Sequence, residues 1–225
     1  MSRGFFVTGT DTAVGKTLVA CTLLYAFASK GRSVVGMKPV AAGFEESQGG
    51  LRNDDVEQLI AASTIKAPRS MVNPYALNCP IAPHIAAQQA GIEIKTTVIK
   101  QAFDQLKKMA DMVVVEGVGG FRVPLNGRED SADLARLLGL PVLLVVGMRL
   151  GCLNHALLTS DAIESRGLKL AGWIANCIDP RMAALHQNVA ALEKRISQPL
   201  LGVLAYQSGA RPEQLASILD IHSLI

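Results

Sequence analysis

GFFVTGTDTAVGKT, residues 4–17, is the stretch that decides the fold, because a short apolar segment passes through a glycine-containing loop into a helical pattern. This order of strand, loop and helix is the setting that a phosphate-binding loop requires. The strict pattern has a glycine where this chain has Thr10, and Gly9 stands one position earlier. The loop is therefore a variant with one extra residue. The plain alternative is a strand-to-helix turn that happens to contain Lys-Thr.

The chemistry of a phosphate loop survives that change. Backbone N–H groups at the start of a helix point at bound phosphate oxygens, and residues 12–17 supply such groups here. The Lys16 side chain would neutralise the β- and γ-phosphates of a nucleotide, and the Thr17 hydroxyl would ligate magnesium. The loop alone predicts nucleotide binding but not what is phosphorylated.

Short apolar segments alternate with helical patterns along the whole chain. Predicted buried strands cover residues 5–8, 34–38, 112–116, 142–146, 171–175 and 201–204, and predicted helices cover residues 16–30, 96–109, 131–138, 152–166 and 182–196. Strands that alternate with helices imply right-handed crossovers and a mostly parallel sheet with helices on both faces. We predict an α/β fold of the P-loop NTPase type, in three layers, as a single domain over residues 1–225.

The composition argues against several classes of protein. Among 225 residues there are 22 basic and 19 acidic side chains, and no basic cluster that would track a nucleic acid backbone. The amino terminus lacks the apolar run of a signal peptide, and no stretch approaches the ~18 apolar residues of a membrane span. We expect a cytoplasmic protein that binds neither nucleic acid nor membrane. The four cysteines lack CxxC spacing and are expected to be reduced thiols.

Four polar or glycine-rich segments follow predicted strand ends, at residues 9–17, 38–43, 116–120 and 147–154. Ligands of parallel sheets bind beyond the carboxyl ends of the strands. We therefore expect these segments to converge on one rim of the sheet.

Charged residues on this rim are candidates for the chemistry. Glu116 ends an apolar strand, where a carboxylate resembles the Walker B position that holds magnesium; the alternative is a solvated strand end. Asp54 and Asp55 precede a helical pattern, so helix capping is the alternative for at least one of them. Lys38 leaves an apolar strand at the rim, where a charge-stabilising and a merely solvated lysine are equally compatible with its position.

Nucleophilic catalysis has little support, because no serine or cysteine lies at a suggestive spacing from a base. His84 and His155 are predicted to be satisfied structural histidines. Cys152 stands at a predicted helix start, which is compatible with either a reactive thiol or a packing role.

Taken together, the rim segments resemble a known family. The segments Gly9-Thr-Asp-Thr-Ala-Val-Gly-Lys-Thr17, Lys38-Pro-Val40, Gly50-Leu-Arg-Asn-Asp-Asp55, Val115-Glu-Gly-Val-Gly-Gly120, Leu150-Gly-Cys-Leu-Asn-His155 and Gly172-Trp-Ile-Ala-Asn176 are similar, in order and spacing, to those of the dethiobiotin synthetases. The resemblance extends from the amino terminus to about residue 204 and is far more specific than the phosphate loop by itself.

The resemblance implies a reaction and its partners. A carbamate forms on one amine of 7,8-diaminononanoate from CO2, ATP phosphorylates it in the presence of Mg2+, and the second amine closes a ureido ring. The enzyme would contribute chiefly charge stabilisation and positioning. The resemblance also implies a homodimer, in which the partner subunit holds the substrate carboxylate.

Residue roles follow from the same resemblance. Lys16 and Lys38 would be catalytic, and Thr17, Asp55 and Glu116 would bind the metal; Asp55 is thereby favoured over Asp54. The implied ATP-binding residues are Ala13, Val14, Gly15, Lys16, Thr17, Leu18, Asp55, Glu116, Gly117, Val118, Gly119, Asn176, Cys177, Ala205, Tyr206 and Gln207, with Asn176 at the adenine edge. The implied substrate-binding residues are Thr12 and Ala42, together with Leu150, Gly151, Cys152 and Asn154 from the partner subunit.

Four positions depart from the family pattern. Ala13 stands where some members carry an acidic residue, Ala42 replaces a serine near the substrate, Asn188 replaces a tyrosine, and Ala205 replaces a proline. None of these changes touches a metal or phosphoryl contact, so we expect retained chemistry with altered affinities.

Three other interpretations remain open from the sequence. A related P-loop amidoligase would need a glutaminase domain, for which this chain is too short. A partitioning-type ATPase switch would be expected to carry a basic cluster or an amphipathic tail, whereas residues 213–225 contain no lysine or arginine. A paralogue that binds nucleotide without synthetase activity is the third.

Overall fold

The computed structural model describes residues 4–47 and 50–224. Residues 1–3 and 225, which the single-domain and signal-peptide predictions include, lie outside the described residues. The strands are β1 Gly4–Gly9, β2 Val34–Met37, β3 Val40–Ala42, β4 Glu45–Ser47, β5 Gly50–Arg52, β6 Tyr75–Leu77, β7 Met112–Glu116, β8 Val142–Met148, β9 Leu170–Cys177 and β10 Leu200–Leu204. The helices are α1 Lys16–Ser29, α2 Asp54–Ala62, α3 Arg69–Val72, α4 Pro83–Gln89, α5 Thr96–Met109, α6 Ser131–Leu138, α7 Cys152–Ser165, α8 Leu185–Glu193 and α9 Pro212–Leu215.

One six-stranded sheet organises the molecule. Its strands run in the order β10-β9-β8-β1-β7-β2, and every neighbouring pair is parallel. From β1 the chain builds β2 and β7 on one side and β8, β9 and β10 on the other. The loop after β1 therefore lies at the point where the strand order reverses, which is where such sheets bind ligands.

Alternation of apolar side chains along the strands produces the three layers. Phe5 and Val7 of β1 face α1, where the Phe5 and Phe27 rings stack with centroids 5.8 Å apart. Phe6, between them, faces the opposite side and packs with Phe103 of α5. Buried runs on β1, β7 and β8 leave no solvated face, as a doubly covered parallel sheet requires. The predicted α/β three-layer fold is confirmed.

Several predicted bounds were wrong by a few residues, and some elements were missed. β8 continues to Met148 and β9 to Cys177, while α8 is shorter at both ends than the predicted helix over 182–196. The missed elements are the short pairs β3 with β6 and β4 with β5, and the helices α3, α4 and α9. Three- and four-residue elements carry almost no periodicity, so tertiary contacts decide them. Within the described residues, no helix is long and apolar enough to cross a membrane.

Candidate active site

The predicted phosphate loop joins β1 to α1. The loop reaches the helix through Gly15, whose φ of +86° is the left-handed conformation that glycine adopts without strain. Ala13 also has a left-handed φ of +57°, although it carries a side chain. The Lys16 ammonium lies across the loop and donates to the Asp11 carbonyl oxygen at 2.8 Å. The loop is thus closed around its own lysine, which is the group expected to meet phosphate.

A compact cluster of charges lies beside the loop. The Thr17 hydroxyl is 2.7 Å from the Asp55 carboxylate and 2.8 Å from Glu116 Oε1. The Lys38 ammonium donates to Asp55 at 2.8 Å and also to Glu116 Oε1. We call Thr17, Lys38, Asp55 and Glu116 the charged centre. Four residues that are far apart in sequence therefore meet within hydrogen-bonding distance.

Sheet register explains how this centre is built. Glu116 pairs with Val7 of β1, and Met37 of β2 pairs with Val115, so Lys38, the residue after Met37, comes level with Glu116 on the neighbouring strand. Asp55 comes from the first turn of α2. The cap of that helix is Asn53, whose side chain accepts from the Val56 N–H, so neither aspartate is the capping residue. Asp54 is exposed and lies outside the centre.

Burial sets the electrostatics of the centre. Glu116 is 1% exposed and Lys38 is 4% exposed. Burial raises the pKa of the Glu116 carboxyl, and Lys38 offsets part of that effect. For Lys38, burial lowers the pKa, but the attraction of Glu116 and Asp55 is stronger and leaves the pKa above its usual value. Lys38 is therefore held as a cation between two acidic groups.

Lys16 is in the opposite situation. Burial, and then repulsion by Lys38, lower its pKa from 10.5 to about 8. A bound triphosphate would supply the negative charge that this lysine lacks in the free protein. The lowered pKa shows that the described residues around Lys16 do not balance its charge.

The charged centre fits a divalent cation. The centre has more oxygen acceptors than hydrogen-bond donors can satisfy. The single Thr17 hydroxyl proton faces two carboxylates, and Glu116 Oε2 is buried with no partner among the described residues. Mg2+ prefers oxygen ligands and usually combines one or two carboxylates with phosphate oxygens and water. The described residues contain no cluster of three or more His, Cys, Asp or Glu side chains, so a metal here would need the hydroxyl and the nucleotide as further ligands.

A cleft of about 950 Å³ opens over the centre and the loop. Its polar side contains Thr12, Lys16, Asp55 and other residues of the loop and centre, and Ala42 lies at its edge. Its apolar side was missed by the sequence analysis and consists of Pro80, Ile81, Ala82 and Pro83, with Val118 and Val123. A cleft of this size lies within the range of small-molecule binding sites.

The predicted adenine residues are adjacent to one another. Asn176 and Cys177 end β9, and Ala205, Tyr206 and Gln207 follow the neighbouring strand β10. Burial raises the pKa of the Cys177 thiol, and the nearby backbone of Tyr206 offsets part of that rise. The Asn176 amide also reaches the phosphate loop, where it donates to the Val14 carbonyl at 2.8 Å.

The predicted carboxylate-binding turn lies apart from the cleft. Leu150 is 97% exposed, Gly151 has a φ of +92° at the N-cap of α7, and Cys152 is buried at the first helical position. Asn154 is exposed on the first turn. Arg149, just before the turn, pairs with Asp11 of the phosphate loop at 2.5 Å, a contact that the sequence analysis did not anticipate. Burial of Cys152 supports its packing role.

The remaining candidates have structural or peripheral positions. Asn188 is partly buried on α8 and donates to the Ala184 carbonyl at 2.9 Å. His155 is exposed near Asp11, whereas the Nδ1 atom of His84 is buried without a partner among the described residues. The expectation that His84 is a satisfied structural histidine was therefore wrong.

Asn73, which the sequence analysis missed, donates to the Lys38 carbonyl at 2.7 Å and fixes the backbone of that lysine.

Comparisons with known proteins identify the family of the chain. A family model described as an AAA domain matches residues 3–214. A protein of Nitrosospira multiformis named ATP-dependent dethiobiotin synthetase is 60% identical over 221 residues, which cover 98% of this chain and 96% of the relative. A protein of the same name from Aromatoleum aromaticum is 58% identical over 219 residues, covering 97% of each chain.

Solved structures show the fold alone. The septum site-determining protein MinD of Pyrococcus horikoshii, complexed with Mg-ADP, matches with a TM-score of 0.61 at 16% identity. The match covers 99% of this chain and 89% of the MinD chain. The cell division protein FtsY of Thermotoga maritima matches with a TM-score of 0.54, also at 16% identity. That match covers 97% of this chain and 68% of the FtsY chain. With about 60% identity to two curated relatives over nearly their full length, the chain belongs to the ATP-dependent dethiobiotin synthetase family.

Proposed function

We propose that the chain is an ATP-dependent cyclo-ligase that makes dethiobiotin from 7,8-diaminononanoate, CO2 and ATP. One amine of the substrate captures CO2 as a carbamate. A carbamate oxygen then attacks the γ-phosphorus of ATP and displaces ADP, and the second amine attacks the resulting mixed anhydride and expels phosphate as the ring closes. The observation that carries the proposal is the charged centre, a lysine and two carboxylates buried beside a phosphate loop.

The two buried lysines have different tasks in this scheme. Lys16 would exchange the Asp11 carbonyl for the β- and γ-phosphates, a partner that suits its lowered pKa. Lys38 stays charged between Asp55 and Glu116 and would stabilise the negative charge on the carbamate and the transferred phosphoryl group. Charge that is already in place needs no reorganisation during the reaction, which is how such sites lower barriers.

The metal would be Mg2+, held by Thr17, Asp55 and Glu116. Bound there, it supplies positive charge to the phosphates that the lysines alone do not balance. The buried and unpartnered Oε2 atom of Glu116 supports this assignment.

The substrate would lie between Thr12 and Ala42 on one side and the apolar residues 80–83 on the other. An aliphatic chain in contact with prolines and isoleucine gains about 25 cal/mol for each Å² removed from water. We further propose a homodimer, in which Leu150, Gly151, Cys152 and Asn154 of one subunit receive the substrate carboxylate of the other. Within the described residues no side chain caps the start of α7, and the N–H groups of an uncapped helix start favour an anion. We place the enzyme in the cytoplasm.

A coupled assay with a matched pair of variants tests the proposal. Purified protein is mixed with MgATP, bicarbonate and 7,8-diaminononanoate, and both phosphate release and ureido product are measured. The variants D54N and D55N change neighbouring residues, only the second of which belongs to the charged centre. We expect D54N to match the natural protein and D55N to lose at least about a hundredfold in turnover.

Two outcomes would contradict the proposal. Phosphate release that does not depend on the diamine would favour an ATPase switch, and nucleotide binding without any product would favour a paralogue that has lost the activity. Identity of about 60% to two named synthetases supports the synthetase over both.

A further inference from the structure

The phosphate loop is attached to the strands beneath it by contacts that involve no nucleotide. Thr10 occupies the place where the strict motif has glycine. Its N–H donates to the Val145 carbonyl at 3.0 Å, and its hydroxyl accepts from the Gly147 N–H at 3.3 Å. The residue that breaks the motif thus fixes the start of the loop to β8.

The middle of the loop is held by the Val14 side chain, which is buried. A Cβ atom on Gly9 or on Gly147 would lie 2.6 Å from a Val14 methyl group, so glycine at both positions makes room for it. Since contacts below 3.0 Å force a displacement, the fit of Val14 between β1 and β8 fixes where the loop lies.

Asn176 holds the same residue from β9. Its Nδ2 atom donates to the Val14 carbonyl at 2.8 Å, and a Cβ at Gly15 would overlap that nitrogen. A carbonyl can only accept, so the amide nitrogen must face the loop. In a trans peptide the C=O and the following N–H point in opposite directions. The bond from Asn176 therefore turns the Gly15 N–H away from β9.

We propose that Asn176 is a positioning residue: by holding the Val14 carbonyl it aims the Gly15 N–H at the triphosphate, and so sets triphosphate affinity independently of the base. Asn176 is only 5% exposed, so this bond forms away from solvent. The second N–H and the oxygen of the amide are the groups that an adenine edge would use. The inference rests on nucleotide binding in the proposed function but not on ring closure.

Magnesium tripolyphosphate, which has no base or ribose, separates the two roles of Asn176. In N176D a carboxylate of nearly the same size replaces the donor and repels the Val14 carbonyl. We expect calorimetric titration to show binding weakened about tenfold for both MgATP and magnesium tripolyphosphate, equivalent to about 1.4 kcal/mol. Weakened MgATP binding with unchanged tripolyphosphate binding would mean that Asn176 serves the base alone, and would overturn the proposal.

A second set of variants displaces the loop without changing Asn176. In G147A the added methyl pushes on Val14, and Gly147 has no left-handed backbone that would strain an alanine. We expect G147A to weaken tripolyphosphate binding several-fold and the double variant V14A/G147A to recover part of it. G127A, where a Cβ meets nothing within 4 Å, is the matched control. Unchanged tripolyphosphate affinity in G147A would show that the loop does not depend on this attachment.

Failure of this inference is distinguishable from failure of the proposed function. Natural protein that binds tripolyphosphate but forms no ureido product contradicts the cyclo-ligase alone. Normal product formation in the natural protein, together with tripolyphosphate binding that N176D leaves intact, contradicts the positioning role alone.

Discussion

The charged centre and the turn at residues 150–154 are built in opposite ways, although both are proposed to bind charged groups. Lys38 and Glu116 are almost fully buried and satisfy each other within one chain, whereas Leu150 is 97% exposed and the turn has no place in the cleft. A charge removed from water must be paired where it lies, because its desolvation costs several kcal/mol. Backbone N–H groups at an exposed helix start stay hydrated, so they pay no desolvation cost and remain available to bind an anion. The charges of the centre are therefore paired within one chain, whereas the proposed carboxylate site at the turn would take its ligand from another subunit.

The largest expected effect comes from breaking the centre with E116Q. The amide keeps the size of the side chain but removes the charge that faces Lys38 and the proposed metal. We expect ureido formation to fall by about a thousandfold, within the range for lost transition-state charge stabilisation. Steady-state kinetics at saturating MgATP would measure it. Turnover within tenfold of the natural protein would show that Glu116 is not part of the machinery.

Mixed dimers test whether the turn serves the other subunit. In N154D a carboxylate on the exposed first turn of α7 would repel the substrate carboxylate, while an acidic residue there suits the helix itself. N154D should raise the KM for the diamine about tenfold and leave the KM for ATP unchanged. N154D and E116Q subunits can then be mixed in equal amounts and allowed to exchange. In such a mixture of twofold dimers, about a quarter of the sites would combine the natural Glu116 of one subunit with the natural Asn154 of the other.

At a low diamine concentration, that mixture should therefore regain activity that neither variant shows alone. Equal activity before and after subunit exchange would contradict a shared site.

The buried charge on Lys16 should cost stability in the nucleotide-free protein. Its pKa falls to about 8 from 10.5, so the folded state resists protonation that the unfolded state accepts. The penalty is complete below pH 8 and disappears as the pH approaches 10.5, so stability rises across that interval. K16M should lose turnover, but its free energy of unfolding at pH 7 should be about 1–3 kcal/mol higher than that of the natural protein.

Denaturant unfolding at pH 7 and pH 10 would measure this gain, which should shrink at the higher pH. A K16M protein that is less stable than the natural one at pH 7 would contradict the assigned penalty.

The smallest expected effect lies at the edge of the cleft, where Ala42 replaces the family's serine. A42S would add one hydroxyl near the substrate, and one hydrogen bond contributes about 0.5–1.5 kcal/mol. The KM for the diamine should fall several-fold with kcat unchanged. A90S, on an exposed helix end, is the control. An unchanged KM for the diamine in A42S would place residue 42 away from the substrate.

Local sequence patterns predicted most of the long helices and the strands of the six-stranded sheet. The buried strand β7 agrees with its predicted bounds because it is an unbroken apolar run. The amphipathic helices α5 and α6 agree because their apolar residues recur at helical spacing over the whole length. Short elements such as β3 and β6 were missed, since three residues give no period and pair only because distant segments meet.

The sequence by itself determined the phosphate loop, the parallel sheet and the family, because these depend on contiguous motifs and repeated apolar patterns. Only the tertiary structure decided that Lys38 is a buried cation and that Asn176 holds the loop through Val14. It also brings Asp55, which the resemblance favoured over Asp54, to the charged centre. The contact of Lys38 with Glu116 depends on strand register, which brings Met37 beside Val115, and Asn176 reaches the loop because β9 pairs with β8 at Gly147. Register is set by the packing of the whole sheet, so no local stretch of the sequence contains it.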